Sequence, residues 1–136
     1  MSNSAKEKTI ALISSTAGVN LAAAADTEKI CYTVPTGKTL IPVMVILHTF
    51  SAQDNATPPI ITLGTGGGAA NDFLGDTTLS GLTANYASEC FILQPVPAST
   101  PVTVDAIPAG GTFVIEITQA NGAALTCTAD LFGYLI

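Results

Sequence analysis

Hydrophobic and polar residues alternate with a period of two along most of this chain. Residues 112–118 show the pattern most clearly, because Phe113, Ile115 and Ile117 share one face while Val114 and Glu116 lie between them. Such alternation is typical of a strand with one buried face. The same reasoning predicts strands at residues 9–14, 18–24, 29–34, 39–50, 59–63, 87–93, 101–107, 112–118 and 124–134.

Turn-forming residues separate these strands at intervals of roughly 8–12 residues, as in β-sandwiches. Residues 35–38 (Pro-Thr-Gly-Lys) and 108–111 (Pro-Ala-Gly-Gly) are turns by composition. Asn121-Gly122 is a strong hairpin signal, so we expect the last three strands to form a meander closed by a hairpin there. The pattern as a whole predicts an all-β protein, an antiparallel β-sandwich or jelly roll of about 8–9 strands.

Two segments lack the simple alternation of a strand. Residues 1–8 are polar, and we expect an N-terminal arm that either frays or orders against a neighbour, followed by a single β-sandwich domain at residues 9–136. Residues 64–84 contain six glycines and little periodicity, which predicts a long surface excursion with a short strand or helical turn near Phe73.

The strand at residues 39–50 is apolar on both faces. One face would carry Ile41, Val43, Val45 and Leu47, and the other Leu40, Met44 and Ile46. A strand of this kind lies in the middle of a sheet and is covered on both sides, either within the protein or by a partner subunit.

Composition narrows the possible partners. Charged residues make up 10% of the 136-residue chain, against about 25% in an ordinary soluble protein, and the net charge is −6. Four lysines and no arginine cannot build the basic surface that nucleic acid requires, and the negative balance disfavours anionic membranes. The high apolar content excludes a disordered chain.

The sequence also predicts where the protein is made. The longest apolar run, residues 40–47, has eight residues including Pro42, whereas a membrane helix needs about 20. No secretory signal is visible, so we expect synthesis in a cytosol. Cys31, Cys90 and Cys127 show no metal-ligand spacing, and His48 is the sole candidate for a fourth zinc ligand, so we expect reduced, packed thiols.

Several motifs invite a chemical interpretation that the surrounding residues do not support. The glycine run at residues 64–68 lacks the Lys-Ser/Thr of a phosphate-binding loop, which favours a flexible loop. Asp72 and Asp76 lie near it but lack a calcium-loop register, so we expect solvated carboxylates or at most an adventitious cation. His48 has no nucleophile motif nearby, and we expect a hydrogen-bonded histidine at a strand end or at a subunit contact.

Paired carboxylates for glycoside hydrolysis would have to come from Glu89, Glu116, Asp105 or Asp130, which lie on predicted strands. Sugar sites usually present stacking aromatic rings as well, and the chain has three tyrosines and no tryptophan. We therefore assign no catalytic, cofactor-binding or metal-binding residue, no cofactor and no enzymatic activity.

Two segments resemble a known class of proteins. Residues 32–40 read Tyr-x-Val-Pro-x-Gly-Lys-x-Leu after an Ala-Ala-Asp-Thr segment, and residues 132–136 read Phe-Gly-Tyr-Leu-Ile. Both are similar to small β-sandwich decoration, or cement, proteins of tailed bacteriophage capsids. The resemblance implies a structural protein without catalytic residues, often a homotrimer, that binds the major capsid protein on the outer capsid surface and stabilises the shell.

The leading prediction is accordingly a capsid decoration protein located on the virion after synthesis in the host cytoplasm. The excess of apolar residues agrees with it, because monomers rarely expose large apolar patches and symmetric oligomers bury them. The alternative is a receptor- or glycan-binding β-sandwich module of a virion fibre or a lectin-like protein, in which the glycine-rich segment forms a ligand rim. A cupin-like enzyme is a third reading, but a cupin metal site needs several histidines.

Overall fold

A computed structural model describes residues 9–68, 70–84, 87–93 and 106–136. These residues form nine strands. The strands are β1 (Ala11–Asn20), β2 (Thr27–Thr33), β3 (Thr39–His48), β4 (Ile60–Thr65), β5 (Leu74–Thr78), β6 (Ser88–Ile92), β7 (Ile107–Pro108), β8 (Thr112–Gln119) and β9 (Thr126–Leu135). The predicted N-terminal arm lies outside the described residues. No helix long and apolar enough to cross a membrane occurs in the described part of the chain.

The strands build two antiparallel sheets that pack face to face. Sheet A has the order β1-β9-β3-β6, with the short β7 also paired to β3, and sheet B has the order β2-β8-β4-β5. The antiparallel pairs are nested: β1 with β9, β2 with β8, β3 with β6 and β4 with β5. A nested series of this kind is one long antiparallel ribbon rolled into two sheets, which is the jelly roll. The predicted fold class is confirmed.

The hairpin predicted at Asn121-Gly122 is wrong, although both flanking strands exist. β8 belongs to sheet B and β9 to sheet A, so the connection crosses between the sheets. A two-residue hairpin of this type needs positive φ at both central residues, and neither Asn121 nor Gly122 has it. Asn121 is instead buried, and its side chain accepts from the Asn55 amide and donates to the Ala123 carbonyl.

The two strands predicted at residues 9–14 and 18–24 are a single strand, β1, which follows β9 through two bulges. Gly18, at φ +68°, lies in the second bulge, where a glycine meets the left-handed backbone at little cost. Most of the strand predicted at residues 101–107 lies outside the described residues, and only its end pairs with β3, as β7.

β3 occupies the middle of sheet A, as predicted, but its faces differ from the prediction. The register with β9 shifts between Pro42 and Met44, so one residue of β3 is unpaired there and the alternation changes phase. Leu40 therefore points into the core together with Val45 and Leu47. The strict period of two that the sequence pattern assumes holds only on either side of this bulge.

The described part of the predicted surface excursion at residues 64–84 contains β5, close to the predicted short strand, and contributes Phe73, Leu79 and Leu82 to the core between the sheets. The Phe73 ring stacks on Phe113 of β8 with ring centroids 5.9 Å apart. The segment is thus anchored by apolar burial that its glycine content hides.

Candidate interaction surface

The outer face of sheet A carries a row of large apolar side chains that crosses all four long strands. The register places Leu12 opposite Phe132, Phe132 opposite Met44, and Met44 opposite Ile92. Opposite residues of antiparallel strands point to the same side of the sheet. Leu12 and Ile92 end the row at the two edges and are 56% and 63% exposed, while Phe132 and Met44 between them are half-buried. We call these four residues the apolar row.

Further apolar side chains extend this row along the strands. Ile41 lies opposite Tyr134, and Ile46 follows Met44 on the same side of β3. Four of the five exposed large hydrophobic residues in the described part of the chain belong to sheet A or its flanking residues: Ile10, Leu12, Ile92 and Ile136. The fifth, Ile30, lies on β2 of sheet B and is 55% exposed. We call the outer side of sheet A the apolar face.

Polar residues border the apolar face at one end. The Asp130 carboxylate lies 2.9 Å from His48 Nε2 and accepts a hydrogen bond from the Ser15 hydroxyl at 2.5 Å. The other ring nitrogen, Nδ1, lies 2.8 Å from the Thr49 hydroxyl. Ser15 contacts the Asp130 carboxylate, while the two ring nitrogens of His48 contact Asp130 and the neighbouring Thr49 hydroxyl. The structure thus places His48 at a strand end in a hydrogen-bonded row.

The outer face of sheet B has a different character, because residues 64–68 and 70–73 fold across it as a glycine strap. The backbone amides of Gly67 and Gly68 donate to the two oxygens of Glu28 at 3.3 and 3.1 Å. The amide of Ala70 donates to Glu116 Oε2 at 2.6 Å in a buried environment. The glycine segment predicted to be a flexible loop is therefore an anion-binding loop whose anions are the protein's own carboxylates.

These contacts resolve a conflict within sheet B. Glu28 and Glu116 lie directly opposite each other on β2 and β8, and like charges in that position are destabilising. The strap amides supply positive dipole to both carboxylates. The strap also explains why β8, predicted to be half-buried, is buried on both faces: it covers Val114 as well as Glu116.

Close packing fixes the strap in place. A Cβ on Gly64 would lie 2.6 Å from the Ala70 carbonyl carbon, and one on Gly66 would lie 2.3 Å from Thr112 Oγ1. Asp72 accepts from both the backbone amide and the hydroxyl of Thr65. The carboxylate predicted to be solvated therefore closes the base of the strap.

An open cleft of about 630 Å³ lies beside the strap and is lined by Asp26, Glu28, Gly67, Gly68 and Glu116. Its charged lining is acidic throughout. Asp76 hydrogen-bonds the Thr118 hydroxyl on the same sheet. In the residues that the structure describes, no group of three histidine, cysteine or carboxylate side chains has a geometry that could hold a metal ion. Of the other carboxylates on predicted strands, Asp105 lies outside the described residues, and Glu89 is on β6 of sheet A.

The three cysteines have free thiols in three environments. Cys127 is buried, Cys31 is half-buried and Cys90 is exposed. Burial raises the pKa of the Cys31 thiol to about 11. Burial, together with the charge of the neighbouring Cys31 thiolate, raises the pKa of Cys127 to about 12. Cys31 and Cys127 are therefore poor nucleophiles that act as small apolar side chains between the sheets.

The fold and its surfaces define a jelly-roll protein with one apolar and one acidic outer face. No protein-family model matches the chain, and no curated protein sequence matches it. Among solved structures, it is similar to a chain of the capsid of Ralstonia phage GP4, with a TM-score of 0.56 at 11% identity over 93% of this chain and 84% of that chain.

Two more solved structures have a similar chain. One is the acidic stable capsid structure of Helicobacter pylori bacteriophage KHP30, with a TM-score of 0.49 at 14% identity over 95% of this chain and 96% of that one. The other is the capsid asymmetric unit of cyanophage Pam1, with a TM-score of 0.48 at 20% identity over 94% of this chain and 84% of that one. The likeness to the chain of the Ralstonia phage GP4 capsid, at a TM-score of 0.56, establishes a shared fold.

Proposed function

We propose that this protein is a structural component of a bacteriophage virion. In the specific form of the proposal it is a decoration protein, a homotrimer that binds the major capsid protein on the outer surface of the shell and stabilises it. The observation that carries the proposal is the jelly roll shared with a chain of the Ralstonia phage GP4 capsid over 93% of this chain.

The surfaces support a role exercised through contact. A homo-oligomeric decoration protein buries surface between its own copies, and the apolar face offers for that contact an apolar row that spans all four long strands of sheet A. The opposite side of the sandwich differs, because its outer face carries Glu28 and Glu116, whose carboxylates accept hydrogen bonds from the strap amides. The two outer faces are thus suited to different surroundings, one to a partner and the other to water.

Co-sedimentation with capsids tests the proposal. Phage capsids that lack this protein are mixed with the purified chain and separated on a density gradient. We expect the chain to migrate with the capsids at a fixed copy number that saturates, and the decorated capsids to withstand a higher temperature before they release DNA. If the chain remains at the top of the gradient at all concentrations, the proposed function is wrong.

A glycan- or receptor-binding module is the second candidate, and the acidic cleft beside the strap is the observation that favours it. Carboxylates and backbone amides are groups that hydrogen-bond sugar hydroxyls. A glycan array probed with and without calcium decides this case. Specific hits that disappear in Glu28→Ala would favour the binding module, whereas an array without hits would count against it.

A further inference from the structure

We infer that the apolar face is the surface through which copies of this chain contact one another. The inference rests on the homo-oligomer included in the proposed function and identifies the contacting surface; because two identical faces in mutual contact close a dimer, it expects a dimeric unit in place of the trimer. Leu12 and Ile92, which end the apolar row, are each more than half exposed. Exposed apolar rows of this length are rare on monomeric proteins and usually mark an interface.

The distribution of charge favours a second copy as the partner. The chain carries a net charge of −6, so two copies repel each other wherever their carboxylates come close. Sheet B and its loops carry Asp26, Glu28, Asp72, Asp76 and Glu116. Among the described residues, one carboxylate side chain lies on the apolar face, that of Asp130, which is paired with His48. Copies that meet through the apolar face therefore keep most of their negative charge apart.

The area of the face is near the lower limit for a specific contact. Strands β1, β9 and β3, spaced about 4.8 Å apart and each contributing about eight residues of about 3.3 Å, cover about 380 Å². The five residues of β6 add about 80 Å². Two such faces in contact therefore remove about 900 Å² from water, which is close to the lower limit of about 1,000 Å² for a specific interface.

The arrangement of residues agrees with the anatomy of interfaces. The apolar row supplies an uncharged centre with one aromatic ring, Phe132, and with the methionine that is enriched at such sites, Met44. The polar row of Ser15, Asp130 and His48 lies along one border, with its hydrogen bonds already made inside the chain. Covering the face therefore leaves no carboxylate without a partner.

Light scattering of the purified full-length chain tests this inference. We expect the wild type to have about twice the mass of one 13.8 kDa chain. Both Leu12→Asp and Ile92→Asp should reduce that mass to the monomer value, because each introduces a charge at an exposed end of the apolar row. Ile30→Asp is the matched control, since Ile30 is 55% exposed but lies on sheet B; it should keep the wild-type mass.

The β-sheet circular dichroism spectrum of every variant is compared with that of the wild type, and the milder Leu12→Ser and Ile92→Ser replace any aspartate variant that does not fold. A monomeric wild type, or aspartate variants that keep the full mass, would overturn the inference. A wild-type dimer that becomes monomeric would support the contacting face and correct the trimer. An oligomer that depends on the apolar face but does not bind capsids would leave this inference standing and refute the proposed function.

Discussion

The buried contact between Glu116 and the glycine strap provides the sharpest test of the structure. Glu116 accepts the Ala70 amide at 2.6 Å, and Ala70 itself is fully buried. Glu116→Ala removes the acceptor and leaves a buried N–H without a partner. A hydrogen bond to a charged group contributes about 1.5–3 kcal/mol, and an unsatisfied buried donor costs about 1–3 kcal/mol. We therefore expect Glu116→Ala to lower the free energy of unfolding by about 2–3 kcal/mol.

Glu116→Gln separates the hydrogen bond from the charge. The amide side chain has nearly the same shape and keeps a carbonyl oxygen that can accept from Ala70. It also removes the like charge opposite Glu28. The lost charge assistance and the relieved repulsion oppose each other, so the expected loss is below about 1 kcal/mol. The alanine variant should therefore be the weaker of the two by a clear margin.

Urea unfolding at a fixed protein concentration measures both variants, with Glu28→Ala as a comparison. The Glu28 contacts to Gly67 and Gly68 are longer and solvent-exposed, so removing them should cost at most about 1 kcal/mol. If Glu116→Ala is as stable as the wild type, or if the alanine and glutamine variants lose the same stability, the strap does not anchor on this carboxylate and our account of it is wrong.

Three further predictions concern the sheets and the thiols. Gly133→Ala should cost about 1–3 kcal/mol in urea unfolding, because a Cβ there would lie 2.3 Å from the Ile41 carbonyl oxygen, whereas Gly75→Ala, with nothing within 4 Å, should be nearly neutral. Cys90 lies opposite Ile46 on the apolar face, so in the monomeric Leu12→Asp variant at pH 8 a thiol reagent should label Cys90 rapidly and the other two thiols slowly; three equally fast thiols would contradict the burial. The raised pKa values of Cys31 and Cys127 favour the neutral thiol in the folded state. The contribution of these two thiols to the free energy of unfolding should therefore be fully present below pH 9 and should be lost as the pH rises toward 11–12. Cys127→Ala should reduce this alkaline loss in thermal unfolding.

The fold class could be predicted from the sequence because it depends on a repeated local signal. The alternation in β8 and the apolar content of β3 are each visible in a few consecutive residues. Their pairing was harder to predict. Asn121-Gly122 has the composition of a hairpin, yet Leu21 and Asn55 bond to Asn121 and hold the connection in a path between the sheets. Contacts from such distant parts of the chain outweigh a local turn preference, and a single sequence does not display them.

The sequence predicts that an apolar surface exists, but it does not predict which side chains form it. An apolar surplus was visible in β3, but the bulge after Pro42 reverses which side chains face outward, and a bulge leaves no clear mark in the hydrophobic pattern. The glycine run by itself does not predict the strap, because the carboxylates that accept hydrogen bonds from it lie elsewhere in the sequence. Glu28 and Glu116 are far apart in sequence, and only the register of β2 with β8 brings them together under the loop. The sequence signal for the strap is a glycine run together with two strand carboxylates, and it becomes specific only once the pairing of β2 with β8 is known.

The repulsion between carboxylates on sheet B indicates how copies of the chain are oriented in an assembly. Threonines at positions 28 and 116 would satisfy an exposed sheet face without repulsion, since threonine is well suited to strands. This chain instead has two opposed carboxylates and needs a strap in which Gly64 and Gly66 leave no room for a side chain. The strap compensates the carboxylates locally but leaves the cleft beside them acidic. Because like charges disfavour contact between copies, we expect the copies to meet through their apolar faces and sheet B to point away from that contact.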